Sequence, residues 1–246
     1  MPKLAPNLSW LYQDIPLMQR FAAAASHGFK AVEILFPYEA PPTEIAAELK
    51  KHRLTQALFN LPPGDWAKGE RGIAALPGRE AEFCAALDKA LDYAQHLECR
   101  TLHIMSGLIP QHGDVTAMHR TFIGNVKRAC DRTAKSGLTL VMEPINRRDI
   151  PGYFTNTTDQ VKAIIDEELQ QLRDTPPTDR EMQRVMNGLE ASFYGRMERV
   201  NGQARALNNY FALTGNPDYF NEDLARYRAL SPNDIQAAAR RWLPAD

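Results

Sequence analysis

One carboxylate stands out by its position. Glu143 follows a short run of apolar and β-branched residues, 138–142, that has the pattern of a buried strand. Alternate strand residues point to opposite faces, so Glu143 shares the face of Thr139 and Val141. An inward carboxylate is costly to bury without a partner, which favours a functional role over a structural one. Such a group can act as a general base.

Two further polar residues fall on the inner faces of predicted strands. His103 is inward in the run 101–105, and Glu33 is inward in the run 31–36. For His103 the sequence leaves two roles open. It is either a buried histidine whose hydrogen bonds are all made within the protein, or a residue that contacts substrate. Glu33 lies earlier in its strand, which favours a structural hydrogen-bonding role.

The elements that must position these groups alternate between strand and helix as far as residue 165. The predicted strands are Leu8–Tyr12, Ala31–Phe36, Thr55–Leu61, Thr101–Met105 and Leu138–Met142. The predicted helices between them are Pro16–Ser26, Thr43–His52, Arg79–His96 and Thr116–Lys135, and a fifth starts near Thr157. Strands separated by helices of this length predict right-handed βαβ units and a parallel sheet. In a barrel of such units, catalytic groups lie at the carboxyl ends of the strands.

The pattern changes after residue 165. Thr178 and Glu181 form a predicted capping box at the start of a helix that runs to about Val200. Further helices are predicted at 203–213 and from Ser231, an N-cap followed by proline. We therefore expect an α/β fold: an incomplete (β/α) TIM-type barrel of about five parallel strands over residues 1–165, followed by an all-helical segment over 166–246.

Composition narrows the class of protein. The chain has 246 residues, of which 44% are hydrophobic and 24% charged, with 29 basic and 30 acidic side chains. This balance argues against nucleic acid as a partner, and no apolar run is long enough to span a membrane. Cys84, Cys99 and Cys130 follow no metal-binding spacing, and we expect reduced thiols in a cytoplasmic protein. All nine lysines lie at or before Lys162, whereas ten arginines follow it, which supports a join near this point.

The first two-thirds of the chain contains a series of specific motifs. They are Gly28-Phe-Lys-Ala-Val-Glu33, Phe59-Asn-Leu-Pro-Pro-Gly-Asp-Trp-Ala-Lys-Gly-Glu-Arg-Gly72, Leu76-Pro-Gly-Arg-Glu80, Glu143-Pro-Ile-Asn146 and Asp149-Ile-Pro-Gly-Tyr-Phe154. With these motifs, residues 1–165 resemble the hydroxypyruvate isomerase family of xylose-isomerase-like barrels. The resemblance implies exchange of hydroxypyruvate with tartronate semialdehyde through an enediolate. A small hydroxy-keto acid is the expected substrate.

The resemblance also assigns residues. It implies that Glu143 is both a catalytic base and a metal ligand, and that Trp66, Arg71 and His103 bind substrate. The family leads us to expect Mg²⁺ or Mn²⁺ as cofactor. The family's second catalytic glutamate and its Asp-x-Tyr-His-Met-Gln signature have no match in the sequence. We therefore expect loose metal binding and impaired isomerase activity.

The C-terminal part has motifs of its own, which are Pro176-Pro-Thr-Asp-Arg-Glu181, Leu213-Thr-Gly-Asn-Pro-Asp218 and Ser231-Pro-Asn-Asp-Ile-Gln236. With these motifs, residues 166–246 resemble the end of a pitrilysin-type (M16, insulinase-like) peptidase. Peptidase activity is not expected, since the zinc motif of that family, His-x-x-Glu-His, is absent. The alternative to an isomerase is a non-catalytic fusion or scaffold. Five strands cannot close a barrel of eight, so we also expect open sheet edges that a homo-oligomer could cover.

Overall fold

The structure is a computed structural model that describes residues 3–134, 136–198 and 200–244. The chain divides into two compact units, an N-terminal unit, Met1–Val161, and a C-terminal unit, Lys162–Asp246. The division falls inside a helix, a few residues before the boundary at 165/166 that the sequence predicts. No helix in the described ranges is long and apolar enough to cross a bilayer.

The N-terminal unit is built on five short parallel strands. They are β1 (Ala31–Val32), β2 (Thr55–Gln56), β3 (Phe59–Asn60), β4 (Thr101–His103) and β5 (Thr139–Val141). β1 pairs with β2, and β3, β4 and β5 form a second sheet in that order. Parallel neighbours in chain order, each reached through a long connection, are what βαβ units produce.

The first predicted strand, Leu8–Tyr12, is wrong. Only Asn7 makes an isolated parallel bridge, to Glu33, and the chain then turns. Oδ1 of the Asn7 side chain accepts a hydrogen bond from the Ser9 N–H at 2.9 Å. The backbone carbonyl of Asn7 accepts from the N–H groups of Trp10 and Leu11. Asparagine offers the backbone this local turn in place of a ladder, which ends the pairing at once.

The third predicted strand, Thr55–Leu61, is two strands. The Gln56 side chain donates to the Leu58 carbonyl at 2.8 Å, so that carbonyl is engaged locally between β2 and β3. The two halves then pair with different neighbours, β1 on one side and β4 on the other. One backbone hydrogen bond still links the two sheets. The Asn60 N–H of β3 donates at 3.0 Å to the carbonyl of Leu35, which follows β1.

One helix precedes β1, three helices connect strands, and a fifth helix follows β5. They are α1 (Leu17–Ser26), α2 (Pro42–His52), α3 (Glu80–His96), α4 (Val115–Thr133) and α5 (Thr158–Asp174). Asp114 caps α4 by accepting the N–H groups of Thr116 and Ala117. The predicted bounds that fall in the described residues lie within two residues of the observed ones, because caps and apolar spacing mark helix ends well. Lys135, the predicted end of α4, lies outside the described residues.

The core of the N-terminal unit combines strand and helix residues. Phe59 and Leu102, from β3 and β4, are fully buried, as are Phe21 of α1, Leu87 of α3 and Phe122 of α4. The apolar side of each helix is thus covered, which is the main stabilising term for such a layered fold.

The C-terminal unit contains, among its described residues, the end of α5 and four more helices. These are α6 (Asp179–Met197), α7 (Val200–Thr214), α8 (Phe220–Arg228) and α9 (Pro232–Trp242). The capping box predicted at Thr178 is present, and Ser231, predicted as an N-cap, caps α9 and also forms a capping box. The predicted helix to Val200 is wrong at its end, because α6 stops at Met197 and α7 starts at Val200. The core of this unit is small, with Phe193, Leu224 and Ala239 buried.

Candidate active site

Glu143, which carries the carboxylate just beyond β5, is held by a hydrogen bond from its backbone N–H. The parallel register aligns Val141 of β5 with His103 of β4, and Glu143 lies two residues beyond that pair. Its N–H donates to Nε2 of His103 at 3.2 Å. The Glu143 side chain is exposed, so the expectation of an enclosed carboxylate is wrong for this structure. β5 has its strand partner on the β4 side, and no described strand encloses Glu143 from the other side.

His103 is buried, with 2% of its surface exposed. Its Nδ1 lies 3.0 Å from Oδ1 of Asn60, the residue aligned with it on β3. Burial lowers the pKa of His103 to about 4, because the charged imidazolium is poorly solvated there. The ring is therefore neutral near pH 7.

Glu33 is a second carboxylate near Glu143. It is half-buried, and its Oε1 accepts a hydrogen bond from Nδ2 of Asn7 at 3.3 Å. Burial, and secondly the charge of Glu143, raise the pKa of Glu33 above the ordinary glutamate value. The sequence favoured a structural role for this residue. Its proximity to Glu143 makes it part of the candidate site as well.

A buried hydrogen-bonded cluster supports the segments around the site. The Ser106 N–H donates to the Tyr153 hydroxyl at 2.9 Å, and the hydroxyls of Ser106 and Thr155 lie 3.0 Å apart. The Thr155 carbonyl in turn accepts the N–H of Ile145, two residues beyond Glu143. Burial raises the pKa of Tyr153, so its hydroxyl stays protonated.

Trp66 and Arg71 lie together on the loop that follows β3. The Arg71 guanidinium stacks 3.7 Å from the centre of the Trp66 ring and donates to the Trp66 carbonyl. Trp66 also packs against Phe36, with ring centres 5.0 Å apart. The loop is fixed at its base by an ion pair between Arg79 and Glu70, which lowers the pKa of Glu70.

A cavity of about 700 Å³ opens beside this loop. Its lining includes Trp66, Phe36 and Trp10, together with Ser9 and Arg20. The predicted site residues therefore fall into two groups, Glu143 with His103, and Trp66 with Arg71. Asn60 was missed, although a polar residue inside an apolar strand is a signal that could have found it.

The donor set does not fit a divalent metal. Oxygen-rich metal sites need several ligands, whereas only Glu33 and Glu143 offer carboxylates here. The lone pair of His103 Nε2 already faces the Glu143 N–H. Within the described ranges no three His, Cys, Asp or Glu side chains come close enough to hold an ion.

Short parallel strands, connecting helices and a carboxylate just beyond β5 are features of a β/α barrel, a fold whose sites lie at the carboxyl ends of the strands. The profile of the xylose isomerase-like TIM barrel family matches residues 21–170. The chain belongs to this family.

Individual relatives narrow the comparison. The 2-oxo-tetronate isomerase of Cupriavidus necator is 50% identical over 167 residues, 68% of this chain and 64% of that protein. The hydroxypyruvate isomerase of Escherichia coli is 38% identical over 68% of this chain and 65% of that protein. The crystal structure of a Brucella melitensis protein described as AP endonuclease, family 2, superposes with a TM-score of 0.66. It is 49% identical and covers 68% of this chain and 64% of its own. The chain thus spans a little under two-thirds of the length of these relatives.

Proposed function

We propose that the N-terminal unit carries the base of an aldose–ketose-type isomerase acting on a small hydroxy-keto acid. The observation that carries this proposal is the exposed Glu143 carboxylate, held through its backbone by a buried neutral histidine. The names of the relatives, hydroxypyruvate isomerase and 2-oxo-tetronate isomerase, support the substrate class.

The chemistry assigned to Glu143 is proton transfer. Its carboxylate removes a proton from the hydroxyl-bearing carbon beside the substrate carbonyl, and the electron pair moves onto the carbonyl oxygen to give an enediolate. The proton of the original hydroxyl passes to the enediolate oxygen, and return of the abstracted proton to the neighbouring carbon then completes the exchange of carbonyl and hydroxyl. Arg71, stacked on Trp66, is proposed to bind the substrate carboxylate, since a guanidinium matches it in charge and geometry. His103, which the resemblance implied as a substrate-binding residue, is proposed to belong to the site through its contact with the Glu143 backbone.

We further propose that the 246-residue chain is a weak isomerase on its own. An enediolate needs positive charge or hydrogen-bond donors at its oxygens, which Glu33 and Glu143 cannot provide. General acid–base help alone is worth about 10²–10⁴-fold, far below the acceleration of a typical enzyme. A bound Mg²⁺ or Mn²⁺ would act as a Lewis acid, and binding of either to this chain should be loose.

The alternative is a non-catalytic fusion whose C-terminal helices, similar to the end of an M16 peptidase, serve as a scaffold. The favouring observation is α7. None of its described side chains is buried, and Val200, Leu207 and Phe211 are exposed. A helix with this apolar surface is typical of a segment that packs against another protein.

The assay is conversion of hydroxypyruvate, and separately of 2-oxo-tetronate, by the purified chain with added Mg²⁺ or Mn²⁺. Wild type is compared with Glu143→Gln and with the control Glu44→Gln, which alters an exposed glutamate of α2. We expect very weak turnover in wild type and in Glu44→Gln, and weaker turnover in Glu143→Gln, since this variant lacks the proposed base. Robust turnover that Glu143→Gln abolishes would establish the isomerase and contradict the impairment.

Substrate binding is measured in parallel by titrating hydroxypyruvate and following the tryptophan fluorescence, to which Trp10 and Trp66 in the cavity lining contribute. We expect weak saturable binding that Arg71→Gln reduces at least about tenfold, since a charged hydrogen bond is lost. An unchanged affinity in Arg71→Gln would remove this residue from the site. Absence of binding by wild type would favour the scaffold.

A further inference from the structure

Three polar groups form a row across the second sheet. Asn60 of β3, His103 of β4 and the Glu143 backbone beyond β5 are joined by contacts of 3.0 and 3.2 Å. A backbone N–H can only donate, so Nε2 of His103 must accept from Glu143 and carries no proton. A neutral ring then has its proton on Nδ1, which donates to Oδ1 of Asn60. One tautomer satisfies both contacts.

The Glu143 segment has few other attachments. β5 ends at Val141, and Pro144 has no N–H to donate. The next backbone anchor is Ile145, whose N–H donates to the Thr155 carbonyl at 3.0 Å. The contact with His103 therefore fixes the backbone from which the Glu143 carboxylate projects.

We propose that His103 is a positioning residue, which holds the Glu143 backbone through Nε2 while Asn60 fixes its tautomer through Nδ1. Both ring nitrogens are then used inside the protein, so His103 contacts neither substrate nor metal. This inference rests on the proposed role of Glu143 as the base. The role of His103 is distinct from that of Glu143, because the hydrogen bonds of His103 are present in the absence of substrate.

The first test is the tautomer, read by ¹⁵N NMR of histidine in the full chain near neutral pH. The His103 signals are assigned by their loss in His103→Gln. We expect a protonated Nδ1 and an unprotonated Nε2 in wild type and in Glu143→Gln, because the contact uses the backbone. A protonated Nε2 in wild type would overturn the proposal.

The role of Asn60 is tested by two substitutions. Asn60→Leu removes the acceptor for Nδ1–H, whereas Asn60→Asp keeps an oxygen at the same place. We expect the Nε2-protonated form to appear in Asn60→Leu and to stay absent in Asn60→Asp. The same tautomer in Asn60→Leu as in wild type would show that Asn60 does not fix it.

The second test is hydrogen exchange of the Glu143 amide. His103→Leu removes the acceptor, whereas in His103→Gln the amide oxygen can occupy the position of Nε2. Loss of the bond should speed exchange at least about fivefold in His103→Leu, with slower exchange restored in His103→Gln. Equal exchange in both variants and wild type would contradict the positioning role. Neither readout depends on turnover, so an inactive chain leaves this test intact.

Discussion

Gly107, directly after Ser106, allows two backbone segments of the site to approach closely. Its φ is +106°, and a Cβ placed on it would lie 2.6 Å from the Gly72 carbonyl oxygen and 3.1 Å from the Gly72 carbonyl carbon. Both atoms belong to the backbone and cannot rotate away. The contact joins the end of the loop that carries Trp66 to the segment after β4.

Replacement of Gly107 by alanine has two separable costs. A positive φ costs an L-residue about 1–2 kcal/mol. Forcing a methyl group into a packed site costs about 1–3 kcal/mol more. Gly78 supplies the matched control, since its φ is +83° and a Cβ placed on it would meet nothing within 4 Å. We therefore expect Gly78→Ala to lower the free energy of unfolding by about 1–2 kcal/mol and Gly107→Ala by about 2–5 kcal/mol.

The measurement is urea unfolding followed by tryptophan fluorescence. Trp242 lies in the C-terminal unit, so a Trp242→Phe background leaves Trp10 and Trp66 to report on the N-terminal unit alone. A loss in Gly107→Ala no larger than that in Gly78→Ala would refute the close approach.

Three further predictions concern the helices, one ion pair and the sheet edge. Thr178→Ala removes the capping box of α6 and should cost about 0.5–2 kcal/mol in unfolding of the C-terminal unit, with exposed Thr43→Ala as control. Arg79 lowers the pKa of Glu70, so the ion pair stabilises the folded protein at pH values above the ordinary glutamate pKa of 4.5. This stabilisation is lost as the pH falls through the lower pKa that Glu70 has in the folded protein. The difference in unfolding free energy between wild type and Glu70→Gln, under about 1 kcal/mol, should therefore vanish in acid, and a constant difference would contradict this. β5 is paired on its β4 side, so we expect light scattering to give a mass above the monomer's, and a monomer that binds no apolar dye would count against an open edge.

Helix positions and the parallel strand order could be predicted from the sequence because caps and apolar periodicity are local signals. The turn at Asn7 and the break between β2 and β3 after Gln56 could not be predicted from the sequence. Each depends on a side chain that forms a local hydrogen bond with the backbone and so competes with strand pairing. Glu143 and His103 were identified from alternation along their strands. Their link through Asn60 depends on register between strands, which a single sequence does not give. The exposure of Glu143 depends on what surrounds β5, and strand alternation carries no information about that.

The central claim, that Glu143 is the base of an isomerase site, is tested most directly by deuterium exchange. Hydroxypyruvate is incubated with the chain in D₂O, and NMR follows deuterium entering the hydroxyl-bearing carbon, a step that requires proton removal but not completed turnover. We predict that wild type and Glu44→Gln exchange this position faster than Glu143→Gln, by up to about 10²-fold. Equal exchange rates in wild type and Glu143→Gln would contradict the claim.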